Sequence, residues 1–467
     1  MASEKTLNTK NLATLGADRL AVLLLEMVTG DAAAKRRLRL ELASRSGGSD
    51  AAAEIRKRLA TIAKSRSHVD WRKIKLLAQD LELQQAAIID HVAPTHPAEA
   101  FELLWRLLDM APSIYARCDD SNGTIGAVFT LALTDLATVA DHAALVPSAL
   151  ADRVFQGVCA NTHGQFDQLI GLMANPLGRD GLELLRARFE QEPASRMPGI
   201  ERNRPVNDDN CAVTRQPLSA QPALAAIADA LGDVDGYANC FSDSERSRPT
   251  IAAAIAERLL NAGRADEAMA ALTAAEAQFR KDGHWPDWQR VRINTLDALG
   301  QSEEAQAERW ATFERSLNAE YLRAHLKRLP DFDDEEAEIV ALDLVGAHAD
   351  FHSALAFLLD WPAHDRAAKL ILERQGELDG NLYELLTSAA EALEDRHPLA
   401  ATLSLRAVID FSLFHGKHKR FGHAARHLRT CEDLARRIED FGDRRDHAGY
   451  RAHLWRLHGR RNGFWNV

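Results

Sequence analysis

The sequence predicts an all-α protein, an α-solenoid in which antiparallel helix pairs stack into a right-handed superhelix. Three observations support this prediction. Ala, Leu, Glu and Arg dominate the chain, while Val, Ile, Thr and aromatic residues are sparse. Apolar residues recur at the spacing of one helix face through most of the 467 residues. Paired helical patterns joined at a glycine recur in the C-terminal half.

The composition is that of an ordinary globular chain, with 46% hydrophobic and 27% charged residues. No run of about 18 apolar residues is present, so we expect no membrane span and no membrane partner. The N-terminal stretch MASEKTLNTKN lacks the apolar segment of a secretory signal. The five cysteines are odd in number and widely scattered, which argues against a disulfide framework. We therefore expect a cytoplasmic protein.

The net charge of −11 is unevenly distributed. Basic residues exceed acidic ones by nine between Lys35 and Lys75 and by seven between Phe414 and Val467, which leaves −27 for the rest of the chain. This asymmetry suits a partner of definite charge, or charge complementarity inside a folded or oligomeric protein. Complementarity is the interpretation that we favour.

Residues 1–192, basic at 35–75, form the first predicted region, a series of short helices separated by turn residues. Gly30 and the SGGS run at Ser46 to Ser49 end helices, and Pro97 opens one in its first turn. The predicted helices are Ala17 to Thr29, Asp31 to Ser44, Asp50 to Ser65, Asp70 to His91, Pro97 to Met110, Thr124 to Ala140, Pro147 to Cys159, Gly164 to Ala174 and Gly181 to Gln191.

One stretch of the second helix, RLRLEL at Arg37 to Leu42, alternates with the period of a strand. The three preceding alanines are strong helix formers and favour a helix instead. A helix would place Ala34, Leu38 and Leu42 on one face.

Residues 193–222 form the second predicted region, a long polar loop with five prolines and the string NRPVNDDN. It separates the first region from the third, residues 223–467, where helical pairs recur.

In RLLNAGRADEAMAALTAA, Arg258 to Ala275, Gly263 closes one helix and Ala268 is small where the next helix should approach it. Gly300 closes a similar helix. The equivalent alanines of later pairs are Ala305, Ala367, Ala401 and Ala424. Ala305 lies 37 residues after Ala268, and Ala401 lies 34 residues after Ala367.

This skeleton resembles the tetratricopeptide repeat, a helix–turn–helix unit of about 34 residues. The resemblance implies that neighbouring pairs bury their apolar faces against each other and form a concave surface. The chain as a whole resembles an uncharacterised bacterial all-helical family, a domain of unknown function. The stretches that carry this resemblance are LATLGADRLAVLLLEMVTGDAAAKRRLRLELA, RCDDSNGTIG and RLPDFDD. That resemblance spans most of the chain and implies a fold without an activity.

Two C-terminal pieces, IAERLLNAGRADEAMAAL and YRAHLWRLHGRRNGFW, are similar to the helical region that follows the zinc finger in bacterial SWIM-type proteins. The C-x-C and C-x-H pairs of that finger are absent from this sequence. The resemblance therefore implies neither zinc nor the nucleic-acid role of the finger.

Two groups of residues are candidates for binding. The first, the basic patch, suits an anionic partner and consists of Lys35, Arg36, Arg37, Arg39, Arg56, Lys57, Arg58, Arg72, Lys73 and Lys75. The second is the polar turn at Arg117, Asp119 and Asp120. We expect this turn to cap the following helix, with Arg117 paired to an aspartate, rather than to bind calcium.

The sequence contains no phosphate-binding loop, no dinucleotide fingerprint, no nucleophile elbow and no H-E-x-x-H motif. We therefore expect no cofactor, no metal and no catalytic residues. The favoured function is a non-catalytic scaffold or adaptor that binds a protein or peptide on its helical surface. The alternative is nucleic-acid binding through the basic ends. A second alternative is an enzyme of unknown class, whose polar groups would converge from distant helices.

Overall fold

The computed structural model describes residues 6–191, 200–202, 214–216, 220–276 and 285–465. The chain divides into two compact units, Met1–Ile251 and Ala252–Val467. Within the described residues both units are built of helices, which confirms the predicted all-α class. The strands among the described residues are β1 (Ile200–Arg202) and β2 (Thr214–Gln216). Both belong to the first unit, and they pair antiparallel. No helix in the described part of the chain is long and apolar enough to cross a membrane.

The first unit contains fourteen complete helices among the described residues, and a π-helical turn at Ile88–Val92 extends the fifth. Their bounds are α1 (Thr9–Ala13), α2 (Ala17–Met27), α3 (Ala32–Ser46), α4 (Gly48–Lys64), α5 (Trp71–Ala87), α6 (Pro97–Leu108), α7 (Ala111–Tyr115), α8 (Thr124–Ala140), α9 (Pro147–Cys159), α10 (Leu169–Leu172), α11 (Ala174–Gln191), α12 (Gln221–Leu231), α13 (Val234–Asn239) and α14 (Asp243–Arg246).

Helix α15 begins just before the division between the units, and the other helices of the second unit follow it. Their bounds are α15 (Pro249–Asn261), α16 (Ala265–Glu276), α17 (Pro286–Ala298), α18 (Ser302–Ser316), α19 (Ala319–Leu326), α20 (Asp333–Ala347), α21 (Phe351–Asp360), α22 (His364–Glu373), α23 (Tyr383–Leu393), α24 (Pro398–Phe414), α25 (Phe421–Ala435), α26 (His447–His458) and α27 (Asn462–Trp465). Most of the predicted loop at 193–222 lies outside the described residues, and the predicted three-region division stays a prediction.

Local chemistry at the helix starts explains several of these bounds. Proline stands in the first turn of α6, α9, α17 and α24, where its missing N–H leaves no intrahelical bond unmade. The Asp31 carboxylate accepts hydrogen bonds from the Ala33 and Ala34 N–H groups, at 2.8 and 3.0 Å. This cap confirms the predicted helix over the strand-like RLRLEL stretch.

Helix α3 buries little of its surface. Leu40 is its buried residue, at 7% exposure, while Leu42 is 68% exposed. Arg36, one turn before Leu40, approaches the Asp80 carboxylate of α5 at 3.9 Å. Because α3 is helical, Ala34, Leu38 and Leu42 share one face as predicted, but the buried residue Leu40 lies on another face, one turn after Arg36. Helix α3 packs against α4.

The predicted helix at Gly164 to Ala174 is largely wrong, because only α10 and Ala174, the first residue of α11, are helical there. A turn replaces its first half. The Asn161 amide donates to the Asp167 carboxylate at 2.6 Å, and the Phe166 N–H donates to the Asn161 side-chain oxygen at 3.0 Å. Gly164 adopts a left-handed φ of 81°, which suits a turn and not a helix interior.

One turn geometry closes helices at Gly232, Gly263, Gly300 and Gly416, where φ lies between 61° and 77°. In each turn the N–H after the glycine bonds to the carbonyl five residues earlier; the Arg264 N–H, for example, reaches the Leu259 oxygen at 2.9 Å. Glycine adopts this left-handed conformation without steric cost. The predicted closures at Gly263 and Gly300 are therefore confirmed.

The order in which helices pack distinguishes the two units. From α16 to α26, each helix of the second unit packs against the next one in sequence. This is the neighbour-to-neighbour order of a solenoid of stacked helix pairs, as predicted. In the first unit α8 packs against both α5 and α6, and α12 packs against α10 and α11, so its order is less regular. The handedness and the specific likeness to tetratricopeptide repeats stay predictions, as does the likeness to SWIM-type proteins.

Each unit has its own core. In the first unit, Trp105 of α6 stacks on Phe166 and lies against Gly157 of α9, where an added Cβ would approach the indole ring to 2.9 Å. In the second unit, α24 packs between α23 and α25 and is buried along most of its length. Helix α24 also forms one wall of the cavity described next.

Candidate ligand-binding cavity

The second unit contains a cavity of about 850 Å³ beside the C-terminal half of α24. Helix α26 and the segments that precede α23 and α26 complete its walls. The volume is in the range of small-molecule sites, roughly 300–1,000 Å³. The polar residues that line it are Gln375, Asp379, Arg406, Asp410, His415, Asp443, Arg444, Arg445, Tyr450 and His453.

Arg406 is the buried cation of this cavity and is only 6% exposed. Its Nη1 donates to the backbone oxygen of Arg445 at 2.7 Å, but its Nε and Nη2 atoms have no hydrogen-bond partner. The Tyr450 ring lies 4.3 Å from the guanidinium carbon, which adds a cation–π contact. The Nε–Nη2 edge of an arginine is one that binds carboxylate or phosphate through two parallel hydrogen bonds.

Burial lowers the pKa of Arg406 below its usual 12.5. The residue has no carboxylate within 4.0 Å among the described side chains, so it forms no ion pair there. A buried guanidinium with an unpaired edge is costly, because the lost hydration is not replaced. An anionic ligand on that edge would recover the loss.

Asp410 lies one helical turn after Arg406, on the same face of α24. The Tyr450 hydroxyl donates to its carboxylate at 2.8 Å. Surrounding protein raises the pKa of Asp410 by desolvation, although part of its surface is open to the cavity. Burial also raises the pKa of Tyr450 well above 10, so its hydroxyl stays a hydrogen-bond donor at neutral pH.

The segments around the cavity are held by close packing and hydrogen bonds. An added Cβ on Gly380 would lie 2.0 Å from the Ala407 backbone oxygen, so only glycine fits against α24 there. Arg444 donates from Nη2 to the Leu372 oxygen at 2.8 Å and from Nε to the Gln375 side chain at 2.6 Å. These contacts make the cavity a preformed site.

The cavity is lined by charged residues of both signs. They are three arginines, three aspartates and two histidines. Cys431 lies near Arg406, but burial raises its pKa to about 12, so its thiol stays protonated. At the rim, Phe414 is 76% exposed and offers an apolar contact beside the charged interior.

The basic patch lies on three helices of the first unit. Lys35, Arg36, Arg37 and Arg39 are on α3, Arg56, Lys57 and Arg58 on α4, and Arg72, Lys73 and Lys75 on α5. Arg36 and Arg58 both pair with Asp80, and Arg56 pairs with Glu99. Part of the patch charge is thus neutralised within the unit. A small cavity of about 120 Å³ brings together Arg36, Arg39, Lys57 and Arg58.

The polar turn caps a helix, as its sequence suggests. The Asp120 carboxylate accepts hydrogen bonds from the Ile125 and Gly126 N–H groups at the start of α8, at 2.8 to 3.1 Å. Asp119 accepts from the Ser121 N–H at 3.2 Å. The predicted ion pair of Arg117 with an aspartate is wrong, because Arg117 Nη2 instead donates to the Ile62 oxygen at 3.3 Å. The described residues contain no group of three or more potential metal ligands.

Sequence reasoning overlooked the cavity residues. Arg406 and Asp410 were detectable as charged residues one turn apart inside PLAATLSLRAVIDFSLF, an otherwise apolar and hydroxyl-bearing helix. Charge at that spacing inside a buried helix indicates a polar site. The contribution of Tyr450 depends on how α26 packs, and no local pattern gives that.

Comparison with known proteins gives a family and a weak structural likeness. One solved structure, described as a "Circular tandem repeat protein with novel repeat topology and enhanced subunit contact surfaces", aligns over 96% of this chain and 97% of its own. The two sequences are 13% identical and the TM-score is 0.13, so this likeness supports no inference. No curated protein matches the sequence. Residues 2–467 match the family described as "Family of unknown function (DUF6880)", and the chain therefore belongs to that family.

Proposed function

We propose that this protein is a non-catalytic adaptor, which binds a partner protein by taking an acidic group of that partner into the cavity at Arg406. The single observation that carries the proposal is the unpaired Nε–Nη2 edge of a guanidinium that is 94% buried. Both nitrogens are covered by protein, so the Arg406 side chain would turn toward the cavity to meet a partner carboxylate. A buried charge-assisted contact of this kind contributes about 1.5–3 kcal/mol.

The rim explains why a protein, rather than a small anion alone, is the proposed partner. Phe414 is 76% exposed at the end of α24 and lies beside the cavity. Aromatic residues, including phenylalanine, are enriched at protein interfaces relative to the rest of the surface. An acidic side chain entering the cavity would bring its flanking residues onto Phe414.

A site-specific photocrosslinker at position 414 tests this proposal in cells. Phe414 is replaced by a benzophenone-bearing phenylalanine, and Phe332, which is 80% exposed, receives the same group as the matched control. We expect one protein to crosslink at 414 and not at 332, and Arg406→Gln to abolish that crosslink. Identical products from both positions, or none at 414, would refute the adaptor function.

Nucleic-acid binding through the basic ends remains the competing proposal. Pairing of Arg36, Arg58 and Arg56 with carboxylates reduces the charge available to a phosphate backbone and supports the protein partner instead. Gel mobility of DNA and RNA at low salt separates the two proposals. A shift that weakens steeply with salt would favour nucleic acid.

A further inference from the structure

The first unit contains a second buried arginine with an unpartnered nitrogen, at the end of α7. Arg117 is 9% exposed, and its Nε has no hydrogen-bond partner. It lines a cavity of about 500 Å³, the Arg117 cavity, between the C-terminal end of α4 and the end of α7. This site is separate from the cavity at Arg406 and does not depend on the proposed adaptor function.

Every charged residue that lines the Arg117 cavity is a cation. The lining consists of Ala63, Lys64, Ser65, Arg66, Ser113, Ala116 and Arg117. Three cationic residues and two serines thus line one space, and no carboxylate residue lines it. The Ser113 hydroxyl donates to the Met110 oxygen at 2.9 Å, and the Ser65 hydroxyl bonds with that of Ser67 at 3.0 Å. The cavity at Arg406, in contrast, includes three aspartates.

The carboxylates closest in sequence are engaged elsewhere. Asp120 accepts the N–H groups of Ile125 and Gly126, and Asp119 accepts that of Ser121. Neither forms an ion pair with Arg117 in the described structure. The positive charge of the cavity is therefore not compensated by the polar turn that follows it.

The arginine is also held in place before any ligand arrives. The Val69 N–H donates to the Arg117 backbone oxygen at 2.8 Å, and Val69 pairs with Cys118 in an isolated parallel bridge. The Arg117 side chain donates to the Ile62 oxygen, which also accepts the Ser65 N–H. Such anchoring limits the ordering cost of binding.

We propose that the Arg117 cavity binds the phosphate group of a small phosphorylated molecule. A phosphate dianion matches three cations better than a single carboxylate does, and arginine and hydroxyl donors are its usual ligands. The volume of about 500 Å³ accommodates a small molecule attached to that phosphate. Lys64 and Arg66 would contact the phosphate from the exposed side, and Arg117 would reach it from the buried side after a side-chain movement that uncovers its Nε.

Titration calorimetry on the full chain at low ionic strength tests this inference, with inorganic phosphate and ribose 5-phosphate as probes. The informative variant is Arg66→Ala, because Arg66 is exposed and its removal should not disturb folding. Arg37→Ala is the matched control, since Arg37 is exposed on α3 and does not line the cavity. A third variant, Arg117→Gln, removes the buried cation.

We expect both probes to bind, and ribose 5-phosphate to bind at least as tightly as phosphate. Arg66→Ala should weaken affinity about three- to five-fold, while Arg37→Ala changes it less than about two-fold. Arg117→Gln should abolish binding. If that variant does not fold, the comparison between Arg66→Ala and Arg37→Ala tests the proposal. Affinity for ribose 5-phosphate should also fall below about pH 6, where a phosphate monoester loses its second charge.

Three outcomes would overturn the proposal. The first is no heat of binding at millimolar phosphate. The second is an equal loss in the Arg66 and Arg37 variants, which would indicate a diffuse basic surface. The third is binding of a short single-stranded oligonucleotide without binding of either probe, which would assign these residues to a nucleic-acid backbone.

Discussion

Gly380 offers the sharpest test of the packing around the cavity at Arg406. A Cβ at this position would lie 2.0 Å from the Ala407 oxygen and 2.6 Å from both the Ala407 carbonyl carbon and the Phe411 Cβ. The first two atoms are backbone of α24 and cannot rotate away. In Gly380→Ala the segment before α23 must therefore move off the helix.

Overpacking of this kind costs about 1–3 kcal/mol, and a clash with backbone belongs at the upper end. For a unit of this size, each kcal/mol lowers the melting temperature by about 2–4 °C. We expect Gly380→Ala to lower the calorimetric transition of the second unit by about 6–12 °C. It should also weaken any ligand of the cavity, because Gly380 lines it.

Gly346→Ala is the matched control within the same unit. Gly346 lies near the end of α20, and its added Cβ would meet no atom within 4 Å. Alanine is favoured over glycine in a helix by roughly 0.5–1 kcal/mol, so this variant should melt slightly higher than the wild type. If Gly380→Ala melts like the wild type while Gly346→Ala rises, the packing described for the cavity is incorrect.

Three further predictions concern ionisable groups in and near the cavity at Arg406. Arg406→Met removes a buried charge that has one side-chain hydrogen bond, so its urea midpoint should equal or exceed that of the wild type. A decrease of more than about 2 kcal/mol in the free energy of unfolding would show that Arg406 stabilises the fold. Burial raises the pKa of Asp410 above its usual 3.8, so the folded protein holds this proton more tightly and stability falls as pH rises past 3.8. Asp410→Asn keeps an acceptor for Tyr450, and its stability advantage over wild type should therefore grow between pH 3.5 and 7; a constant difference would contradict the desolvated carboxyl. Finally, a pKa of about 12 and complete burial should keep Cys431 unlabelled by iodoacetamide in the native protein at pH 8, and peptide mapping should find it labelled after denaturation.

Local sequence chemistry was sufficient to predict most helices. The Asp31 cap, the first-turn prolines and the closures at Gly263 and Gly300 all act within a few residues of the chain. Their effects do not depend on distant packing, and the predicted Thr124–Ala140 and Pro147–Cys159 helices match α8 and α9.

Features set by distant contacts were not predictable. Arg36 of α3 approaches Asp80 at 3.9 Å, 44 residues further along the chain, and nothing in the apolar spacing of α3 reveals this contact. Arg117 reaches Ile62 across fifty-five residues rather than its neighbouring aspartates. The cavity at Arg406 is formed by residues of both α24 and α26. The spacing of charges in α24 therefore indicates a polar site, but it does not identify the α26 residues that complete the site.

The neighbour-to-neighbour packing of α16 to α26 has a consequence for how the second unit forms and fails. Contacts between adjacent segments close only short loops, so little chain entropy is lost before they form, and such chains fold quickly. Damage at one end should release the outermost pair while inner pairs persist. Trimming by proteases would then proceed stepwise from a terminus, giving a ladder of shortened products rather than one all-or-none loss.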